Sequence, residues 1–154
     1  MEAERAGAGD IGALTELRLA YLREDLGRLP DTEESALRES LPAYFKAHLD
    51  RDLFVYVIRE GQKIVSCAFL LVTVKPMSPA FMNGRTGTVM NVYTVPDRRR
   101  RGHAAKIMKA LIAGADGMDL SRVELKATPD GYPLYEALGF DEEKAYRPMK
   151  RVLK

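Results

Sequence analysis

A chain of 154 residues, 46% hydrophobic and 30% charged, is long enough for one domain that buries about two-thirds of its unfolded surface. A single cysteine rules out an internal disulfide, no apolar run reaches the roughly 20 residues of a membrane span, and Met1-Glu2-Ala3-Glu4-Arg5 opens no apolar leader, so a cytoplasmic location away from membranes is expected. Twenty-four basic residues against 22 acidic give +2, yet Arg98 to Arg101 alone carry +4, which leaves −2 for everything else. Nucleic-acid binders spread basic residues over a wide face, so this concentration in one turn suits a compact polyphosphate and argues against nucleic acid.

In chain order, Met1 to Ala6 reads as a short strand. Asp10 is placed to cap a first helix with Leu14, Leu17, Tyr21 and Leu22 on one face and Gly27 as its stop. Asp31 and Glu34 form a capping pair for a second helix that turns Leu37, Leu41, Tyr44, Phe45 and His48 inward, and Pro42 predicts a kink or a split in it. Leu53 to Ile58 and Ile64 to Val74 flank Arg59-Glu60-Gly61-Gln62 and predict a hairpin of buried strands, with Cys67 as a small buried hydrophobe. Lys75 to Arg85, which holds Pro76, Pro79 and Asn83-Gly84, reads as a loop. Its Met77 and Met82, with Met90 nearby, fit either core filling or an adaptable apolar wall. A strand from Thr88 to Val95 leads to a helix from His103 to Ala113. Val123, Leu125 and Ala127 alternate as another strand, Tyr132 to Leu138 forms a short helix ending at Gly139, and the tail from Phe140 to Leu153 is expected to add one or two antiparallel strands.

The junction Val95-Pro-Asp-Arg-Arg-Arg-Arg-Gly-His-Ala-Ala105 carries the chemistry. It leaves a strand through a basic turn and opens a helix, whose first N–H groups and dipole attract phosphate. Gly102 and Ala104 remove bulk where a ligand would approach, and the arginines neutralise its charge. The pattern Arg99-x-x-Gly102-x-Ala104 resembles motif A of the GCN5-related N-acetyltransferases, the GNAT superfamily, which binds the pyrophosphate of acetyl-CoA. Leu134-Tyr135-Glu136-Ala137-Leu138-Gly139-Phe140 resembles the same family's motif B, in the expected order and at the expected distance. The two matches together cover about a third of the chain, from Thr86 to Phe140.

That resemblance implies an α/β (α+β) fold for a single domain, residues 1–154. A mixed, mostly antiparallel central sheet of six to seven strands would carry about four helices on both faces. It also implies a cofactor cleft. Pantetheine would pair with the backbone of Tyr93, Thr94 and Val95 beside a bulge in the strand. The N–H groups of Arg100, Arg101, Gly102, His103, Ala104 and Ala105 would hold the pyrophosphate, next to Arg99 of the motif. Arg98 lies outside the motif, and for it a solvated charge run is the alternative to a part in phosphate binding. Thr128 stands where the family more often has asparagine, and it can cap the short helix with Pro129 at its first position.

The implied reaction moves an acetyl group from acetyl-CoA directly to a primary amine of a small molecule or protein, with no covalent enzyme intermediate. Motif B points to Tyr135 as the acid that serves the departing thiolate, because a phenol with a pKa near 10 can donate a proton to it. A packing tyrosine is the alternative. Some relatives carry a glutamate where this chain has Thr88, Val89 and Met90, so the general base stays open. Tyr21, Glu24, Asp25 and Tyr44 are candidates for binding the amine or for ending a water chain to it. His48 reads as a packed or surface residue, and two histidines and one cysteine so widely spaced predict no metal. A non-catalytic acyl-CoA sensing module is the competing function, and a homodimer is compatible with the chain.

Overall fold

The computed structural model describes residues 1–154. Its elements are β1 (Ala3–Arg5), α1 (Ile11–Leu26), α2 (Asp31–His48), β2 (Leu53–Glu60), β3 (Lys63–Val74), β4 (Arg85–Thr94), α3 (His103–Gly117), β5 (Arg122–Glu124) and α4 (Tyr132–Ala137), with short 3-10 turns at Ala8–Asp10 and Pro96–Arg98. They build one sheet in the order β1-β2-β3-β4-β5, antiparallel as far as β4 and parallel between β4 and β5. The mixed, mostly antiparallel sheet matches the expectation, but it has five strands, not six to seven. Residues 141–154 form no strand and are exposed. The tail starts with Asp141-Glu142-Glu143-Lys144 and contains Pro148, a charged run of low strand propensity followed by a residue that cannot donate to a ladder.

Alternation along β2 and β3 feeds two cores. Val55, Val57, Cys67 and Phe69 join Leu14, Leu17 and Phe45 beneath α1 and α2. Tyr56, Ile58, Ala68 and Leu70 join Ile107, Met108 and Leu111 beneath α3, with Tyr135, Leu138 and Phe140 of the α4 region packed against them. Two helices on each face therefore leave the central strands dry on both sides, which explains their unbroken apolar runs.

Several local expectations change. Pro42 leaves α2 continuous for six further residues, enough to seat Phe45 in the core at 1% exposure. Of the residues expected to face inward on that helix, Phe45 alone is fully buried, and Tyr44 stacks on His48 with ring centroids 4.4 Å apart. Helix α3 runs past Ala113 to Gly117, and Gly114 lies within it where a Cβ would come 1.9 Å from the Tyr56 hydroxyl oxygen. Glycine costs about 1 kcal/mol in a helix interior, and here it admits an aromatic side chain from β2. Gly27 does end α1, in the left-handed conformation at φ 74°.

Asp10 and Glu34 take part in ion pairs between elements. Asp10 makes no capping bond to α1; its Oδ2 accepts the Gly7 N–H at 2.9 Å, and both its oxygens accept the Arg59 fork at 2.8 and 2.7 Å. Pro30 takes the cap position of α2, so Glu34 lies in the first turn, where it accepts Arg23 at 2.6 Å and Arg38 at 3.3 Å.

The Asp10–Arg59 pair fastens the start of α1 to β2 with little exposure, 17% and 26%. The Arg59 hydrogen bonds hold the Asp10 carboxyl below its ordinary value against the opposing effect of burial. Asp10→Asn should therefore lose about 1–2 kcal/mol of stability at pH 7. A depressed folded pKa stabilises above the unfolded value of about 3.9 and stops doing so as pH falls through the folded value. Chemical denaturation of the two proteins should show separate midpoints at pH 7 that draw together as pH falls below about 3.9. A gap that persists in acid would assign the loss to packing.

Candidate active site

The site begins with a defect in β4. Cys67 pairs with Tyr93 and Phe69 with Met90, so Ala68 faces two residues, Asn91 and Val92. Asn91 is the residue that absorbs the bulge, at φ 55°. Its buried side chain is held by Arg18, whose Nη1 donates to Oδ1 at 3.1 Å, and lies against the Cys67 sulfur at 3.7 Å. On its other edge β4 pairs with β5 only at Thr86, Gly87 and Thr88. Beyond Thr88 the two parallel strands part. A bulge increases twist and bends the strand, which opens a wedge between β4 and β5.

A cleft of about 700 Å³ occupies that wedge and runs to the start of α3. A smaller cavity of about 70 Å³ extends from it along Val89, Met90, Asn91 and Leu125, and the two share Tyr21, Val92, Thr128 and Tyr135.

The floor of the cleft is the turn from Arg99 to Ala105. Arg100 and Gly102 both have positive φ, 62° and 79°, which costs Arg100 on the order of 1 kcal/mol and marks the turn as held for a purpose. None of the six backbone N–H groups from Arg100 to Ala105 has an acceptor within the protein. Consecutive free N–H groups at a turn and helix start, reinforced by the α3 dipole, make an anion-binding concavity. His103, at 6% exposure, has neither ring nitrogen hydrogen-bonded and also lines the cleft.

The arginines of the run divide by role. Arg99 donates Nε to the Thr94 carbonyl at 2.9 Å and Nη2 to Glu24 at 2.6 Å, and its guanidinium lies 5.4 Å from the centre of the Tyr93 ring. Its fork thus ties the turn to the end of α1. Arg98 pairs with Glu60 and with Asp97 and contributes to the cleft wall. Arg100 lines the cleft with no acidic partner, so its charge is available to a ligand. Arg101 is exposed and does not reach the wall with its side chain.

The opposite wall comes from α4. A Cβ at Gly131 would lie 2.9 Å from the Tyr135 ring, so glycine admits this ring, which also meets Phe140 edge to face at 6.1 Å. Burial raises the Tyr135 phenol above its ordinary value, with a smaller contribution from Tyr21. The hydroxyl therefore stays protonated at neutral pH, as a proton donor requires. Thr128 uses its hydroxyl to cap the turn into α4, accepting the Gly131 N–H at 3.1 Å.

The cleft thus brings together Tyr93, Thr94, Arg99, Arg100, Gly102, His103, Ala104, Ala105, Thr128 and Tyr135, along with Tyr21, Glu24 and Asp25 of α1. Val95 and Tyr44 lie outside its lining. The Val95 N–H already donates to Val65 at 2.9 Å. Sequence reasoning missed Val92, Asp130, Gly131 and Leu134 as wall residues; Gly131 follows Thr128-Pro129-Asp130, a turn signal that pointed to it. Cys67 is fully buried, and burial pushes its thiol up to about 12, so the only thiol cannot act as a covalent carrier. No helix is long and apolar enough to cross a membrane.

A sequence model described as the acetyltransferase (GNAT) family matches residues 14–140. A predicted acetyltransferase from Clostridium acetobutylicum, solved with acetyl-CoA, superposes with a TM-score of 0.84 at 25% identity, over 97% of this chain and 95% of that one. A GCN5-related N-acetyltransferase from Ralstonia eutropha shares the fold with a TM-score of 0.84 at 23% identity, over 99% of this chain and 97% of that one. With the family match spanning most of the sequence, the chain belongs to the GNAT family of acetyl-CoA-dependent acetyltransferases.

Proposed function

We propose that this protein transfers acetyl from acetyl-CoA to a primary amine in a ternary complex, at the cleft between β4 and β5. The observation that carries this reading is the row of six unpartnered N–H groups from Arg100 to Ala105, at one end of a cleft whose other wall holds Tyr135. A pyrophosphate fits the row through charge-assisted N–H bonds, with the Arg100 guanidinium beside it. The parted edge of β4 at Tyr93 and Thr94 offers main-chain groups to an extended amide-bearing arm, as a sheet edge does for an added strand. Bound acetyl-CoA supplies the activated acyl group.

The chain's own residues then do three things. The β4 backbone near Tyr93 donates to the acyl oxygen as negative charge develops there, an effect worth about 3 kcal/mol for one preorganised donor. Tyr135, kept protonated by burial, gives a proton to the sulfur as it leaves. Asp25, exposed at the cleft and free of ion pairs, is placed to receive the proton of the incoming amine through water, whereas Glu24 is occupied by Arg99. With its one thiol buried, the protein offers no cysteine to carry the acetyl group, which favours direct transfer.

Calorimetric titration with acetyl-CoA and with CoA, followed by thiol release over a panel of amines, tests the reading. Micromolar binding and amine-dependent release are expected. Absence of binding would overturn it, and binding with no release from any amine would favour a sensing module.

A further inference from the structure

We propose that Arg18 forms an anion subsite beside the cleft, so that the amine acceptor carries a carboxylate or phosphate group. This inference rests on the acetyltransferase reading and names the class of substrate for that site.

Arg18 is half-buried on α1, yet its one hydrogen bond to the protein is Nη1 to the neutral Asn91 Oδ1, and it has no carboxylate partner. Other half-buried arginines are compensated differently. Arg59, Arg98 and Arg122 each hold a carboxylate, and Arg85 donates to the Met118 carbonyl where β4 begins. A partly desolvated guanidinium with most of its five donors unused favours an anion, and its planar fork matches carboxylate and phosphate oxygens.

Arg18 itself lines neither cavity, and its two neighbours connect it to the cleft. Asn91 is the bulge residue and lines the smaller cavity, and Tyr21, whose ring centre lies 5.8 Å from the Arg18 guanidinium, lines both cavities. Arg18 therefore stands behind the point where β4 bends, on the face covered by α1 and α2. That is the side opposite α3, whose start holds the free N–H row. Arg18, Tyr21 and Asp25 are spaced three and four apart, so they share one face of α1. This face presents a cation, a phenol and an unpaired carboxylate, which together suit an acceptor bearing both an amine and an anion. A polyamine, with cations alone, would meet Arg18 as a like charge.

The test compares matched acceptors that differ in the anionic group: amino acids against their amides, and amino-sugar phosphates against the free amino sugars. Turnover is measured for wild type, Arg18→Gln and Arg18→Lys, with acetyl-CoA affinity measured in parallel by calorimetry. Wild type should favour the anionic member by about tenfold or more in kcat/KM, as expected for a charge-assisted contact. Arg18→Gln should bring that ratio to within about threefold of unity with acetyl-CoA affinity unchanged, and Arg18→Lys should keep part of it. Which pair shows the preference separates carboxylate from phosphate. A merely structural hold on Asn91 would lower both members equally in Arg18→Gln, and that result overturns the subsite. Preference for neutral or polycationic amines, or no turnover of any anionic amine by protein that binds acetyl-CoA, also overturns it. Failure to bind acetyl-CoA is seen separately and removes the reading beneath it.

Discussion

Gly102→Glu is expected to weaken acetyl-CoA binding by at least about a hundredfold, roughly 2.7 kcal/mol, while leaving the protein folded. Gly102 sits at φ 79° as the residue before α3, and a Cβ built on it meets no atom within 4 Å. The protein therefore has room for the side chain. Left-handed strain costs a non-glycine residue about 1–2 kcal/mol, which lowers stability but acts on free and bound protein alike. Affinity falls for a different reason: a carboxylate would stand among six N–H groups that have no other acceptor. It would accept them itself and repel a pyrophosphate. Gly102→Ala separates the two effects, since it carries the strain without the charge and should keep affinity within about fivefold. Circular dichroism and calorimetry on the three proteins measure both quantities. Wild-type affinity in Gly102→Glu would take the start of α3 out of the site.

Much of this site was legible because its signals are local. Arg99, Gly102 and Ala104 sit in one turn, and the change from strand to helix on either side of it is written in the apolar spacing of Thr88 to Val95 and of Ile107 to Leu111. The Tyr135 segment was legible for the same reason, as a short helix closed by Gly139 at φ 93°. What escaped was set by partners distant in the chain. The ion pair of Arg98 was hidden because its partner Glu60 stands 38 residues earlier. The fork of Arg99 is engaged by Glu24, 75 residues away, so this cleft-lining motif arginine also braces α1. The role of Asn91 escaped because nothing in an alternating strand announces which residue will absorb a bulge. The tail misled in the opposite sense. It was expected to add one or two strands, yet its apolar Tyr146, Met149, Val152 and Leu153 stay exposed, and local pattern cannot report that no sheet edge receives them.

Tyr135→Phe is expected to lower kcat by about a hundredfold while changing acetyl-CoA affinity less than about threefold. The ring is what the fold uses: it packs on Phe140, and Gly131 makes space for it, contacts that phenylalanine preserves. The hydroxyl has no hydrogen-bond partner in the protein, so removing it orphans no buried group. Its loss is then felt where a proton is needed. General acids contribute about 10²–10⁴-fold, and a phenol above its usual pKa near 10 donating to a thiolate whose thiol titrates near 8.5 works uphill, which places the effect at the low end. The sign of the pH dependence follows from the same shift. A donor must be protonated, so the wild-type contribution holds below the raised pKa and fades only above about pH 10. The ratio of wild-type to variant kcat should therefore be flat from pH 6 to 9. An acyl donor with a more acidic leaving thiol needs less help and should narrow the gap. Equal losses in kcat and affinity, or a gap indifferent to the leaving group, would reduce Tyr135 to a wall of the cleft and leave the thiolate to be protonated by water.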